Sequence, residues 1–182
     1  MERFPYNTLN AENPGISGFG DLYQNINQMN LFISRTLHTD VLTESARNYY
    51  LGQVYGLRAY YMYQLYRSWG DVVFTEEPSL GFEVGKLAKA ATPAAEIFEQ
   101  VKKDIESSLS YFGSDYTIKE KKSLWSKAAT LMLKADVYLW SAHRDGGEGD
   151  ARTAKNALVD IQNNISRSNL DLMDTYQGVF AY

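Results

Sequence analysis

Apolar residues recur along this chain at helical rather than strand spacing. Leu22, Ile26, Met29, Ile33 and Leu37 follow at steps of 4, 3, 4 and 4, the stripe of an amphipathic helix over about Asp21 to Leu37. His38 to Leu42 reads as a connector. From about Thr43 to Trp69 no proline interrupts the chain and two apolar seams run side by side: Tyr50, Val54, Leu57, Tyr61, Leu65, and Tyr55, Ala59, Met62, Tyr66, Trp69. Their five-residue offset turns one seam about 140° from the other, so this second helix is expected to be sandwiched between two neighbours. Gln53, Gly56, Tyr60, Gln64 and Arg67 form a third, more polar stripe. Gly70 stands where a left-handed residue ends a helix, and Asp71 to Phe74 read as a short extended exit.

Glu76 to Ala91, with Pro78, Gly81 and Gly85 and no period, predicts a long surface loop. Thr92-Pro93 predicts a third helix start, with threonine as the cap and proline at the first helical position. Ile97, Val101, Ile105 and Leu109 share a face of that helix, which should end near Tyr111. The fourth helix is expected over about Ser123 to Ala142. Its seams are Leu124, Ala128, Leu131, Ala135, Tyr138, Ala142 and Trp125, Ala129, Met132, Asp136, Leu139, His143. After a loop from Asp145 to Asp150, Ala151, Ala154, Leu158, Ile161 and Ile165 predict a fifth. Residues 1–17, rich in Asn, Pro and Gly, read as an extended lead-in, and 18–182 as the helical core.

Five helices with two-sided seams, small residues at contacts and short connectors define an all-α chain. They suggest stacked antiparallel helix pairs of the tetratricopeptide kind rather than a closed four-helix bundle. The 34-residue repeat signature is degenerate; only helices four and five come near it, so periodicity alone leaves both arrangements open.

Composition narrows the function. At 182 residues, 45% hydrophobic and 22% charged, one domain is expected, large enough for a core without disulfides or metals. The chain has no Cys, hence no thiol nucleophile or thiolate metal site. Eighteen basic against 22 acidic residues give a net charge of -4, which argues against a nucleic-acid partner. Met1 to Pro5 lack the apolar core of a signal peptide, and no stretch approaches 18 uncharged apolar residues, so no membrane span is expected.

Candidate chemistry is sparse. Asp136 and His143 share a predicted helix face, but no nucleophile accompanies them, which favours an interhelix polar contact near a helix end. Asp145, Glu148 and Asp150 lack the calcium-loop spacing, and Asp150 suits a cap for helix five. Glu76-Glu77 are adjacent and point apart, unlike a glycosidase pair. Lys119 to Lys122 reads as a solvated run. No phosphate loop, HExxH or GxSxG is present, so no enzyme activity, cofactor or metal is expected. Seven of the 14 tyrosines fall between Tyr49 and Tyr66. They offer either an aromatic platform for sugars or peptides, or packing between helices; four of them lie on the seams, which favours packing.

The segment Leu57-Arg58-Ala59 through Gly70-Asp71-Val72 resembles the FLRAxxYFxLxxxFGDVPL run of the SusD/RagB family of outer-membrane nutrient-binding lipoproteins. Tyr23, Ile26 and Asn30 are similar to that family's YxxIxxAN helix, and Phe98, Val101, Asp104 and Ile105 to its YxxIxxDL helix. Trp125 through Leu139 resembles the RxxKxAAxALLARVYL helix, although Trp125 stands where the pattern more often has Arg or a small residue. Leu172, Tyr176 and Phe180 resemble the run that follows.

The resemblance implies a tetratricopeptide-like scaffold in a non-enzymatic protein that captures oligosaccharides or peptides. It further implies lipid anchoring at the cell surface and a SusC-like TonB-dependent transporter as partner. Family members are commonly more than twice this long and carry a signal peptide and a lipidated Cys, so the chain is expected to be a fragment lacking the anchor and the C-terminal part. Of the ligand-contacting aromatics that the family places before the first matched helix, Phe4 and Tyr6 are the candidates here. The rival expectation is a soluble helical-repeat adapter gripping a peptide with Tyr60, Gln64 and Arg67.

Overall fold

The structure, a computed structural model, describes residues 18–81, 89–119, 123–168, 175 and 177. The 1–17 lead-in, with Phe4 and Tyr6, and the motif at Leu172, Tyr176 and Phe180 lie outside them. The described chain is built from helices: α1 Gly20–Leu37, α2 Glu44–Trp69, α3 Ala94–Phe112, α4 Lys127–Ser141, α5 Gly147–Asn163 and a short α6 Ile165–Ser168. A π-helical turn, Ala142–Gly146, joins α4 to α5.

Ring contacts set the helix directions. Phe19, at the start of α1, meets Trp69 at the end of α2, while Phe32 near the other end of α1 meets Tyr50. Likewise Tyr66 packs on Phe98, and Tyr55 and Tyr49 pack on Tyr111 and Phe112. Both α1 and α3 thus run antiparallel to α2 and hold it between them. Lys134 pairs with Glu106 and Ser108 bonds Thr130, which sets α4 antiparallel to α3. The main core joins Ile26, Ala59, Met62, Tyr63, Leu65, Ile97, Val101, Ile105, Leu133 and Val137. A second, smaller cluster packs Leu131 and Ala135 of α4 against Ala154 and Ala157 of α5. Each fully buried Leu, Ile or Met contributes about 1.5–3 kcal/mol relative to leaving it exposed.

The sandwich around α2 is tighter than two seams require. Leu51, Gly52, Gly56, Arg58 and Tyr63 are buried together with Ala59, Met62 and Leu65, whereas Tyr50 of the first predicted seam is exposed. Two glycines explain the extra contact. A Cβ on Gly52 would stand 3.0 Å from the Phe112 ring, and one on Gly56 would overlap the Trp125 indole. Trp125 lies just before α4, fills the space over Gly56, and donates through Nε1 to Thr130 Oγ1 (2.8 Å).

Several predicted boundaries move for capping reasons. Thr92 does not cap α3: it forms an isolated antiparallel bridge with Val72, and Pro93 occupies the cap position. The acceptor comes from across the loop, Asp71 Oδ1 taking the Ala94 N–H at 2.8 Å. α4 begins at Lys127 rather than Ser123 because the Ser126 hydroxyl accepts the Ala129 N–H. Asp150 is no cap either; the helix is already running from Gly147, and the predicted Asp145–Asp150 loop is π-helical up to Gly146 and α-helical beyond Gly147, whose φ of +55 makes the one break between them. In α5 the buried face is Ala154 and Ala157, with Leu158 and Ile165 exposed, and Ile165 falls in α6, beyond a break at Asn164.

Candidate functional site

The polar letters of the three family-like motifs meet at one point. Arg58 interrupts an apolar stretch of α2 and is 2% exposed; Asp104 of α3 is fully buried. The guanidinium donates bidentately to Asp104, Nε to Oδ2 and Nη2 to Oδ1, both at 2.7 Å. Its Nη1 donates to Asn30 Oδ1 of α1 at 2.8 Å, and Nη2 reaches Glu76 Oε1 at 3.4 Å. Gln100 Nε2 adds a 2.9 Å bond to Asp104 Oδ1. Burial opposes charge on Arg58, but its bonds with Asp104 and the nearby Glu76 carboxylate outweigh it and raise the guanidinium further, so it stays protonated. A buried charge held by this many partners is costly to break from one side only.

From this hub the chain that leaves α2 is strapped across α1. Asn30 Nδ2 donates to the Thr75 carbonyl (2.6 Å) and the Tyr23 hydroxyl to the Val73 carbonyl (2.8 Å). Asn27 bonds Ser79 twice, accepting its N–H at 2.7 Å and donating to its carbonyl at 3.3 Å. Tyr23, Asn27 and Asn30 are spaced by four and three residues, so one face of α1 presents a row of side chains to an extended backbone. A cavity of about 330 Å³ lies between that row and the strap. Its polar side chains from α1 are spent on the strap, which makes this a structural joint.

The tyrosines divide as packing and surface. Tyr63 is fully buried, Tyr55 stacks on Tyr111 at 5.6 Å, and Tyr66 packs on Phe98 at 4.9 Å. Tyr60 is 41% exposed and leans on Trp125. Of the row proposed for a peptide, Arg67 is engaged by Asp136 (3.7 Å), by Gln64 Oε1 (3.2 Å) and by the Tyr63 ring. Asp136 therefore makes the interhelix contact expected of it, while His143, in the π-helical turn, is exposed. Glu76 serves the hub. Among the described residues no group of three or more His, Asp or Glu side chains could hold a metal ion.

Sequence reasoning weighed the surface tyrosines and passed over Arg58. The signal was available: a lone arginine flanked by Leu57 and Ala59 on a helix whose neighbours are apolar needs a buried partner.

A stack of antiparallel helix pairs, braced by a buried arginine hub, is the class of scaffold these observations define. A family model described as SusD-like, starch-binding and associating with the outer membrane matches residues 6–139. The chain belongs to the SusD-like family. It is 34% identical over 113 residues to SusD-like protein P38 of Formosa agariphila, covering 60% of this chain and 20% of that protein. The structure superposes on B. fragilis NanU with a TM-score of 0.87 at 49% identity, covering all of this chain and 35% of that one. A SusD superfamily protein of Bacteroides vulgatus gives a TM-score of 0.81 at 46% identity, covering 94% and 34%. The chain thus spans about a third of the length of these solved relatives.

Proposed function

We propose that this chain is the helical-repeat core, residues 18–182, of a non-enzymatic glycan-capture protein. In this proposal the full-length protein is lipid-anchored at the cell surface and delivers oligosaccharide to a SusC-like TonB-dependent outer-membrane transporter. The observation that carries it is the family match across residues 6–139, whose motif residues turn out to be the scaffold's own joints. A rigid base of that kind suits capture by loops it carries. The strongest ligand contacts are then expected from the rest of the full-length protein and from the lead-in with Phe4 and Tyr6. Among the described residues no helix is long and apolar enough to cross a membrane, and a lipid anchor would need none. The peptide-adapter alternative loses ground because Arg67, the charged member of its row, already has partners on α2 and α4.

Affinity purification of the tagged full-length protein from detergent-solubilised outer membranes tests the proposal. Recovery of a TonB-dependent transporter is expected. Recovery of none, together with no binding to a glycan panel, would sink it.

A further inference from the structure

Of the two seams expected on α4, one is spent in packing and the other is not. Ala128, Leu131 and Ala135 are buried, whereas Met132 is 55% and Leu139 52% exposed, with Asp136 exposed between them. Steps of four and three residues put these three on one face of the helix. α2 and α4, both antiparallel to α3, run parallel to each other, and the polar stripe of α2 lies alongside that face. Tyr60, itself largely exposed, leans on Trp125 just before α4, and Arg67, seven residues further along α2, reaches Asp136 at 3.7 Å. Arg67 also takes Gln64 Oε1 and lies over the Tyr63 ring. The charge on this face is thus answered within it, which leaves Tyr60, Met132 and Leu139 as what it offers a partner.

A regular apolar seam marks a contact surface, since the solvent side of a helix is polar along its length. Size then decides the occupant. Three roughly half-exposed side chains offer a few hundred Å², well short of the roughly 800 Å² that each partner of a stable complex buries. A second copy or a separate protein gains too little here. A segment of the same polypeptide needs less, because tethering holds it at an effective concentration of about millimolar. Solved relatives have the chain to supply one: this chain covers 35% of one and 34% of another. We infer that the Tyr60–Met132–Leu139 face is an intramolecular interface, covered in the full-length protein by an apolar segment from the part of the polypeptide that this chain does not span. The inference rests on the reading above only in taking the chain as part of a longer protein.

Thiol labelling of the full-length protein in detergent, purified free of any transporter, tests it. The 182 residues contain no Cys, so Leu139→Cys and Met132→Cys each place one probe on the face, with wild-type labelling as the background. Reaction with a maleimide should be more than about tenfold slower in the native protein than in the same variant unfolded in urea, the protection of a contact that must open first. A rate within about tenfold at either site would overturn the interface. Should Leu139→Cys lose the helical circular dichroism of the wild type, Met132→Cys decides alone. Protection that vanishes on dilution would assign the face to a second copy, and protection that appears only with a transporter bound would assign it to the transporter; either result overturns the inference. No sugar enters the measurement, so protection in a protein that binds no glycan would leave the interface standing and sink glycan capture alone.

Discussion

Single residues decide how closely these helices approach. Arg58 and Asp104 form a buried, bidentate pair, each satisfying the other, and Asn30 takes the remaining donor that faces α1. Removing one partner strands a charge in the core, so Asp104→Ala and Arg58→Ala should each lower stability by about 3–5 kcal/mol in urea unfolding. The double variant should cost less than the sum of the two, because the second change removes a charge the first had orphaned. A strictly additive cycle would show that the pair is not coupled. Gly56 makes the opposite kind of contact, one defined by an absent methyl. Gly56→Ala drives a Cβ into the Trp125 indole and to 2.9 Å from Thr130 Oγ1, with an expected loss of about 1–3 kcal/mol by overpacking. Trp125→Phe in the same chain should recover part of it, since the Nε1 edge is what the new methyl meets first. The indole therefore occupies a position prepared for it by a glycine 69 residues earlier in the chain, a pairing that no local pattern announces.

At the scale of elements, the strap from Gly70 to Ser79 ties three helices together through side chains that do not belong to its own neighbours in sequence. Gly70 takes φ +74 and closes α2, and Asp71, next along, caps α3 rather than the helix it follows. Asp71→Ala should therefore destabilise the fold by about 1 kcal/mol, the usual worth of a cap, whereas Thr92→Val should be close to neutral. Equal losses at both positions, read from thermal or urea midpoints, would restore Thr92 as the cap. This exchange shows what the sequence made legible. The spacing of Leu22, Ile26, Met29 and Ile33, or of Ile97, Val101 and Ile105, located α1 and α3 because a 3.6-residue period is a local property. The Thr92 cap was a local inference of the same kind, overridden by the Val72 bridge that turns this stretch away from the helix end. Likewise the Asp145–Asp150 run, with three glycines, reads as a loop, yet a π-helical turn continues α4 to Gly146, and Gly147, at φ +55, turns the chain so that α5 folds back against α4. Capping from a distance and helix irregularity both depend on contacts made only after folding.

For the whole molecule, the motifs that link this chain to the SusD-like family sort into joints: Tyr23 and Asn30 for the strap, Arg58 and Asp104 for the hub, Gly70 and Asp71 for the helix ends. That explains why the sequence revealed the family and scaffold while leaving the ligand open, since residues fixed by packing are legible from pattern and residues facing solvent are not. Global stability should carry the mark of two tyrosines in the packing. Burial pushes the Tyr63 hydroxyl up to about 12, with the nearby Asp136 carboxylate adding to it, and burial together with the 2.6 Å bond to Asp160 does the same for Tyr116. A raised folded-state value means that the unfolded chain loses these protons first. The stabilisation is therefore complete below about pH 10 and is lost between about pH 10 and 12. Tyr116→Phe should flatten that alkaline fall in the unfolding midpoint; an unaltered slope would contradict the assignment. The central claim, that this chain is the scaffold of a glycan-capture protein, is met most directly by calorimetric titration of the full-length protein and of the 182-residue chain against the same neutral oligosaccharides. Saturable binding by the full-length protein and far weaker binding by the chain is the predicted outcome. Equal affinity in the isolated chain, or no binding by the full-length protein, would contradict it.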